Sequence, residues 1–130
     1  MILTLRTDNP EAEIGLYDVS GIQVKYLTWK AHRELAETIH AKIDDLLQTN
    51  QKEFSDVTGI IVYEGPGSFT GLRIGCSVAN TLVNSFNIPI VGVTGDEWVE
   101  TGINLLKDDH NDRQVLPEYG GQVFTTKPRK

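Results

Sequence analysis

The sequence predicts an α/β domain built on one mixed sheet, and three observations predict it. The chain opens with short alternating runs joined by a tight turn, the pattern of antiparallel strands. Beyond the third run, apolar stripes at helical spacing alternate with compact β-branched runs, the pattern of parallel strands joined by crossover helices. The length, 130 residues, suits one domain of roughly 100–150 residues.

Each element has its own signal. Residues 1–5 (MILTL) form a short apolar run, and residues 12–19 (AEIGLYDV) alternate. Ser20-Gly21 turns the chain into residues 22–29 (IQVKYLTW), where Ile22, Val24 and Tyr26 share a face, so the two runs read as a hairpin. From Ala31 to Thr49 the apolar residues Leu35, Ile39, Ile43, Leu46 and Leu47 fall at the spacing of an amphipathic helix. The polar stretch TNQKEFSD breaks that pattern, and residues 57–65 (VTGIIVYEG) read as a buried strand. A second helix runs from Phe69 or Thr70 to Phe86; Asn87 ends it and Pro89 bars its continuation. Residues 88–93 (IPIVGV) form the next strand, and a short helix spans about Gly95 to Leu106. The order β-β-β-α-β-α-β-α is the layout of a ribonuclease-H-like or actin-like (ASKHA) lobe. This lobe is expected to cover residues 1–107. Residues 108–130, first polar and then carrying Pro117, Gly120, Gly121 and Pro128, read as a C-terminal tail that docks through Tyr119, Val123 and Phe124.

Composition removes several function classes. Twelve Lys and Arg against eighteen Asp and Glu give a net charge of −6, unsuited to gripping a phosphate backbone, which is bound through Lys and Arg. Only the final KPRK, residues 127–130, is basic. No apolar run approaches the ~20 residues of a spanning helix, and Arg6 and Asp8 interrupt the start of the chain before a secretory h-region could form. A cytoplasmic protein with no membrane contact is expected. Cys76 is the one cysteine, so neither an intramolecular disulfide nor a multi-cysteine metal site is available. His32, His40 and His110 do not share the i, i+4 spacing of a metal-binding helix pair. Trp29 and Trp98 read as covers for a sheet edge or an interface.

The stretch VYEGPGSFTGLRIG, residues 62–75, carries the sharpest local signal. Its turn, Gly65, Pro66, Gly67, Ser68 and Thr70 with Arg73 just beyond, joins a strand to a helix N-terminus, an arrangement that favours anions. Three features weigh against a phosphate. The P-loop Lys-Ser/Thr is missing. The spacing is G-x-G-x-x-x-G, one residue off the dinucleotide pattern. Gly71 and Gly75, followed by Ala79 at the same interval of four, lie within the helix itself. Glycine costs ~1 kcal/mol against alanine at such positions, so the row must allow another backbone to come close. Packing is therefore favoured over phosphate. Ser68 or Thr70 serves as the helix N-cap, and Arg73 reaches either the turn carbonyls or a partner. A two-metal nuclease would need clustered carboxylates; Asp8, Asp18, Glu64 and Asp96 are the only strand-end candidates and read as solvated turn residues.

GPGSFTGLRIG, Gly65 to Gly75, resembles the signature of the TsaB (YeaZ-like) family, partners in making threonylcarbamoyladenosine beside the tRNA anticodon. NIPIVGVTGDEW resembles that family's IP-hydrophobic-GV strand and the helix after it. RELAETIHAKIDDLL, Arg33 to Leu47, resembles its first helix, although His32-Arg33-Glu34 stands where the family has His-Ser-Glu. The resemblance covers roughly residues 1–106. At the end of the first strand Arg6 and Thr7 replace the start of the family's Asp-Thr-Ser turn. Family members have two lobes, whereas this chain carries one, and its LPEY resembles the family's closing Pro-x-Tyr strand.

The resemblance implies a non-catalytic scaffold that binds a TsaD-like transferase as a heterodimer through its first two helices. Leu35, Ile39, Ile43, Phe69, Gly71, Leu72, Gly75, Ala79 and Val83 are the expected partner-binding residues. The second helix is apolar nearly all round, which independently suggests burial on more than one side. A TsaE-like ATPase and tRNA would be met only through the complex, and self-pairing into a homodimer is open. No catalytic residue, metal or cofactor is expected. The alternative is a small nucleotide- or phosphate-binding module that uses the Gly65–Gly71 turn.

Overall fold

The computed structural model describes residues 1–117, and its sheet has the mixed topology that the element order demands. Strands β1 (Ile2–Arg6), β2 (Glu11–Tyr17), β3 (Gln23–Lys30), β4 (Gly59–Tyr63) and β5 (Ile90–Val93) lie in the order β3-β2-β1-β4-β5. The first three pair antiparallel; β4 and β5 add in parallel beyond β1. Helices α1 (Leu35–Gln48) and α2 (Phe69–Phe86) provide the crossovers, and α3 (Trp98–Lys107) follows β5.

Alternation along each strand divides the interior between the two faces of the sheet. Leu3 and Leu5 of β1, Ile14 and Leu16 of β2, and Ile60 and Val62 of β4 meet α1 and α2. Ile2, Ile61, Tyr63, Val91 and Val93 form a second cluster with Trp98 and Ile103 of α3. The α1 stripe behaves as its spacing requires: Leu35, Ile39, Ile43, Leu46 and Leu47 are all buried.

Boundaries move for local reasons. The helix expected from Ala31 starts at Leu35, because the Pro10 carbonyl accepts from the N–H groups of both Ala31 and His32. His32 then sits at φ 48°, and a single 3-10 turn, His32–Glu34, intervenes. The β2–β3 turn is held by Asp18, whose Oδ1 accepts from Ser20 N–H, Ser20 Oγ–H and Ile22 N–H; these bonds hold its carboxyl below its ordinary pKa. Asn87 closes α2 in the left-handed conformation at φ 55°.

Beyond residue 107, where a tail is expected to begin, residues 111–115 lie along the outer edge of β5. Asp112 N–H donates to Ile90 O, Ile90 N–H to Asn111 Oδ1, and Gly92 N–H to Asp112 Oδ2. Asn80 of α2 fixes the far end, its amide donating to Val115 O and accepting from Val115 N–H, both at 2.9 Å. Val115 is buried. Tyr119, Val123, Phe124 and the basic residues 127–130 lie outside the described residues.

Candidate functional site

The glycine turn lies where β1, β4 and α2 converge, and its shape is set by the two residues that follow β1. Gly65 takes φ 126° and is followed by a cis bond to Pro66. The Tyr63 hydroxyl donates to Pro66 O at 3.2 Å. Ser68 N–H donates to Asp8 O at 3.1 Å. A methyl at Gly67 would collide with Asp8 Cβ, one at Gly71 with the Thr7 carbonyl oxygen, and one at Gly75 with Thr7 Oγ1, each inside 3.0 Å. Thr7 Oγ1 donates to Gly71 O at 2.7 Å. Gly71 does receive a closely approaching backbone, the chain's own at Thr7, whereas Gly75 receives the Thr7 side chain.

The same contacts bear on anion binding. Asp8 O occupies the Ser68 amide, and the Asp8 side chain stands against Gly67, so the mouth of the turn holds a carboxylate. Its counter-charge is Arg6, which donates from Nε and Nη2 to the two Asp8 oxygens at 2.9 and 3.2 Å. Arg6 also lies 3.9 Å above the Tyr63 ring and 5.9 Å from that of Trp98. Burial is the largest single influence and works against the Arg6 charge, but the Asp8 hydrogen bond and the charges of Asp8, Tyr63 and Glu13 together keep the pKa raised. A phosphate would have to displace a matched ion pair. Ser68 stands at the N-cap position without a side-chain capping bond, so the expected cap is absent; Asp8 O satisfies its backbone instead.

The carboxylates considered for metal chemistry do not converge. The β1–β2 register sets Tyr17 opposite Ile2 and Glu13 opposite Arg6, so Asp8 and Asp18 lie at opposite ends of the sheet. Asp96 is exposed in the turn before α3. Among the described residues, no three His, Cys, Asp or Glu side chains come together as ligands. Cys76 is buried, and burial, aided by the Glu64 charge, pushes its thiol up to about 11. Ordinary thiol reactivity, which needs the thiolate, is thereby suppressed.

Most of the apolar residues expected at a partner interface are committed to the interior. Leu35, Ile39, Ile43, Leu72, Gly75, Ala79 and Val83 are buried, Gly71 is half-buried against Thr7, and Phe69 is exposed. Burial follows from the stripe itself, because the sheet lies under those positions. What stays open is the other side of the two helices. A groove of about 440 Å³ runs between Ala36 and His40 of α1 and Thr70, Ile74, Ser77 and Val78 of α2, with Arg73 at its lip. Sequence reasoning missed this surface because its residues are small or half-buried, although Ala36–His40 and Thr70–Ile74 each share the i, i+4 spacing. Trp29 packs on α1, donating to Thr38 Oγ1 at 3.0 Å, and Trp98 is buried beside Tyr63.

This arrangement, from the end of β3 through the turn and both crossovers to the β5 edge, coincides with a match to a known family. The model of the family described as "TsaD: tRNA N6-adenosine threonylcarbamoyltransferase" matches residues 29–111. The chain belongs to the TsaD family. Within it, the chain is a TsaB (YeaZ-like) member. It is 32% identical over 130 residues to the tRNA threonylcarbamoyladenosine biosynthesis protein TsaB of Bacillus subtilis, covering 95% of this chain and 53% of that protein. The solved YeaZ from Pseudomonas aeruginosa superposes with a TM-score of 0.66 at 27% identity, over 72% of this chain and 43% of that one. A tRNA N6-adenosine threonylcarbamoyltransferase of Geotalea daltonii is 40% identical over 78 residues, 60% of this chain and 23% of that enzyme. The chain thus spans about half the length of its TsaB relative and less of the transferase. The fold is the ribonuclease-H-like, actin-like one of the family. In this TsaB-like chain the turn named by the signature is a packing device, filled by Thr7 and Asp8. No helix among the described residues is long and apolar enough to cross a membrane.

Proposed function

We propose that the chain serves tRNA threonylcarbamoyladenosine biosynthesis as a non-catalytic subunit, docking a TsaD-like transferase through the outer faces of α1 and α2. The observation that carries this is the contrast between the two candidate surfaces. The glycine turn is closed by an ion pair and by the chain's own backbone, while the α1–α2 groove is open and lined by small and aliphatic side chains with His40 and Arg73. Membership of the TsaB branch supports the same assignment. A TsaE-like ATPase and tRNA would be reached only through that complex, and a homodimer would use the same groove.

The test is co-purification with the TsaD-like protein of the same genome, its mass read by light scattering. Gly75→Leu is unsuitable as a disrupting variant, since it would clash with Thr7 inside the lobe. Ser77→Tyr fills the groove from an exposed position. A heterodimer formed by the wild type and lost in a folded Ser77→Tyr variant supports the assignment. No complex at micromolar concentration, together with a rise in melting temperature on adding nucleotide, would replace it with the phosphate-binding alternative.

A further inference from the structure

Arg73 is placed unlike Arg6. Arg6 is matched by Asp8; Arg73 is exposed and, among the described residues, makes neither a hydrogen bond nor an ion pair. Its guanidinium lies 5.4 Å from the Phe69 ring one turn earlier, and that ring is itself 54% exposed. The stacking holds the long side chain upright on α2 while leaving its N–H fork unused. Arg73 also stands on a ridge. It lines the α1–α2 groove on one side and, on the other, a second groove of about 350 Å³ between α2 and residues 114–117. Among the described residues, none lining either groove is a carboxylate, although the chain as a whole carries a net charge of −6.

An exposed guanidinium of this kind is complementary to an oxyanion, and on a chain of net charge −6 a protein carboxylate is favoured over a nucleic-acid phosphate backbone. We infer that Arg73 is the specificity anchor of the docking surface, receiving an Asp or Glu side chain from the partner that occupies the α1–α2 groove. This rests on the docking assignment above and deepens it by fixing the partner's chemistry. A planar fork engages a carboxylate through two parallel bonds, and arginine is enriched among the few residues that dominate interface energies.

Affinity for the TsaD-like protein, measured by calorimetry with wild type, Arg73→Ala, Arg73→Lys and Ser77→Tyr, tests the assignment. Arg73→Ala should weaken binding by about thirty-fold or more, and Arg73→Lys should recover only part of the loss, because an ammonium lacks the fork. Both variants should keep the wild-type melting temperature, since the side chain is exposed. If Ser77→Tyr abolishes binding while Arg73→Ala binds as tightly as wild type, the anchor is refuted and the docking surface stands. If the wild type binds no partner, or is found only as a self-associated dimer that Ser77→Tyr disrupts, the anchor falls together with the docking assignment.

Discussion

Thr7 shows how much one residue can organise. Its carbonyl sits against Gly71, its hydroxyl donates to Gly71 O, and the same hydroxyl lies where a side chain at position 75 would go. The glycine spacing announced a close approach, yet it could not say by what, because Thr7 and Gly71 are 64 residues apart and meet only through the β1–β4 pairing. Two substitutions separate the contacts. Gly75→Ala gains ~1 kcal/mol of helix propensity but overpacks against Thr7, at a typical cost of about 1–3 kcal/mol. In a Thr7→Ala background most of that clash is gone, so Gly75→Ala should turn neutral or stabilising. Gly71→Ala meets backbone oxygen and should destabilise by about as much in either background. Urea unfolding of the four combinations reads the coupling; equal effects of Gly75→Ala in both backgrounds would refute the contact. Cys76 makes a second prediction. Its ordinary pKa is 9.0 and its folded value about 11, so between those values the unfolded chain has already released a proton that the folded chain retains. Stability therefore falls as pH rises through that window, by about 2–3 kcal/mol in full. Tyr26, raised by burial and by its bond to Glu13, adds to the loss at still higher pH. Urea midpoints at pH 8 and pH 10.5 should converge less in wild type than in Cys76→Ala, where the thiol's share is missing.

At the scale of elements, the two sheet edges are treated differently. The β5 edge is covered by residues 111–115, where Asn111 and Asp112 side chains take the place of a partner strand. Among the described residues nothing pairs with the β3 edge, on which Lys25 and Lys30 are exposed, and charged lysines discourage another strand from adding there. The cover was illegible in the sequence because DDHNDRQ has no apolar period; its pairing is made by side chains acting as backbone, which no periodicity encodes. The regular elements were legible for the opposite reason. The α1 stripe, the β-branched core of β4, and Asn87 before Pro89 each encode one local requirement. Asn80→Ala should release the cover, since it removes both bonds to Val115. The expected cost is about 1–3 kcal/mol, with amide exchange accelerated at Ile90, Gly92 and Val115 more than at Ile60 or Val62. Uniform acceleration across β4 and β5 would instead mean that Asn80 supports the whole lobe and not this edge.

For the molecule as a whole, the question is whether the layers on the two sheet faces fold as one. The sheet is shared: β4 sends Ile60 and Val62 to α1 and α2, and Ile61 and Tyr63 to α3. Arg6 and Thr7 are neighbours in the chain yet grip opposite layers, Arg6 beside Trp98 and Thr7 beneath α2. Detaching α3 would uncover Ile61, Tyr63, Val91 and Val93, all buried. At about 1.5–3 kcal/mol for each fully buried large side chain, that exposure costs roughly 6–12 kcal/mol, comparable to the 5–15 kcal/mol that holds a whole domain together. The α3 layer is therefore strongly coupled to the sheet, and unfolding should be a single cooperative transition. The two tryptophans report on the layers separately, Trp29 against α1 and Trp98 at the start of α3. In Trp98→Phe the fluorescence follows the first layer; in Trp29→Phe it follows the second. Each signal should share its urea midpoint with the far-ultraviolet circular dichroism of the same variant. A Trp98 transition that precedes loss of helix would show that the α3 layer opens on its own, and the shared sheet would then not be what couples the two faces.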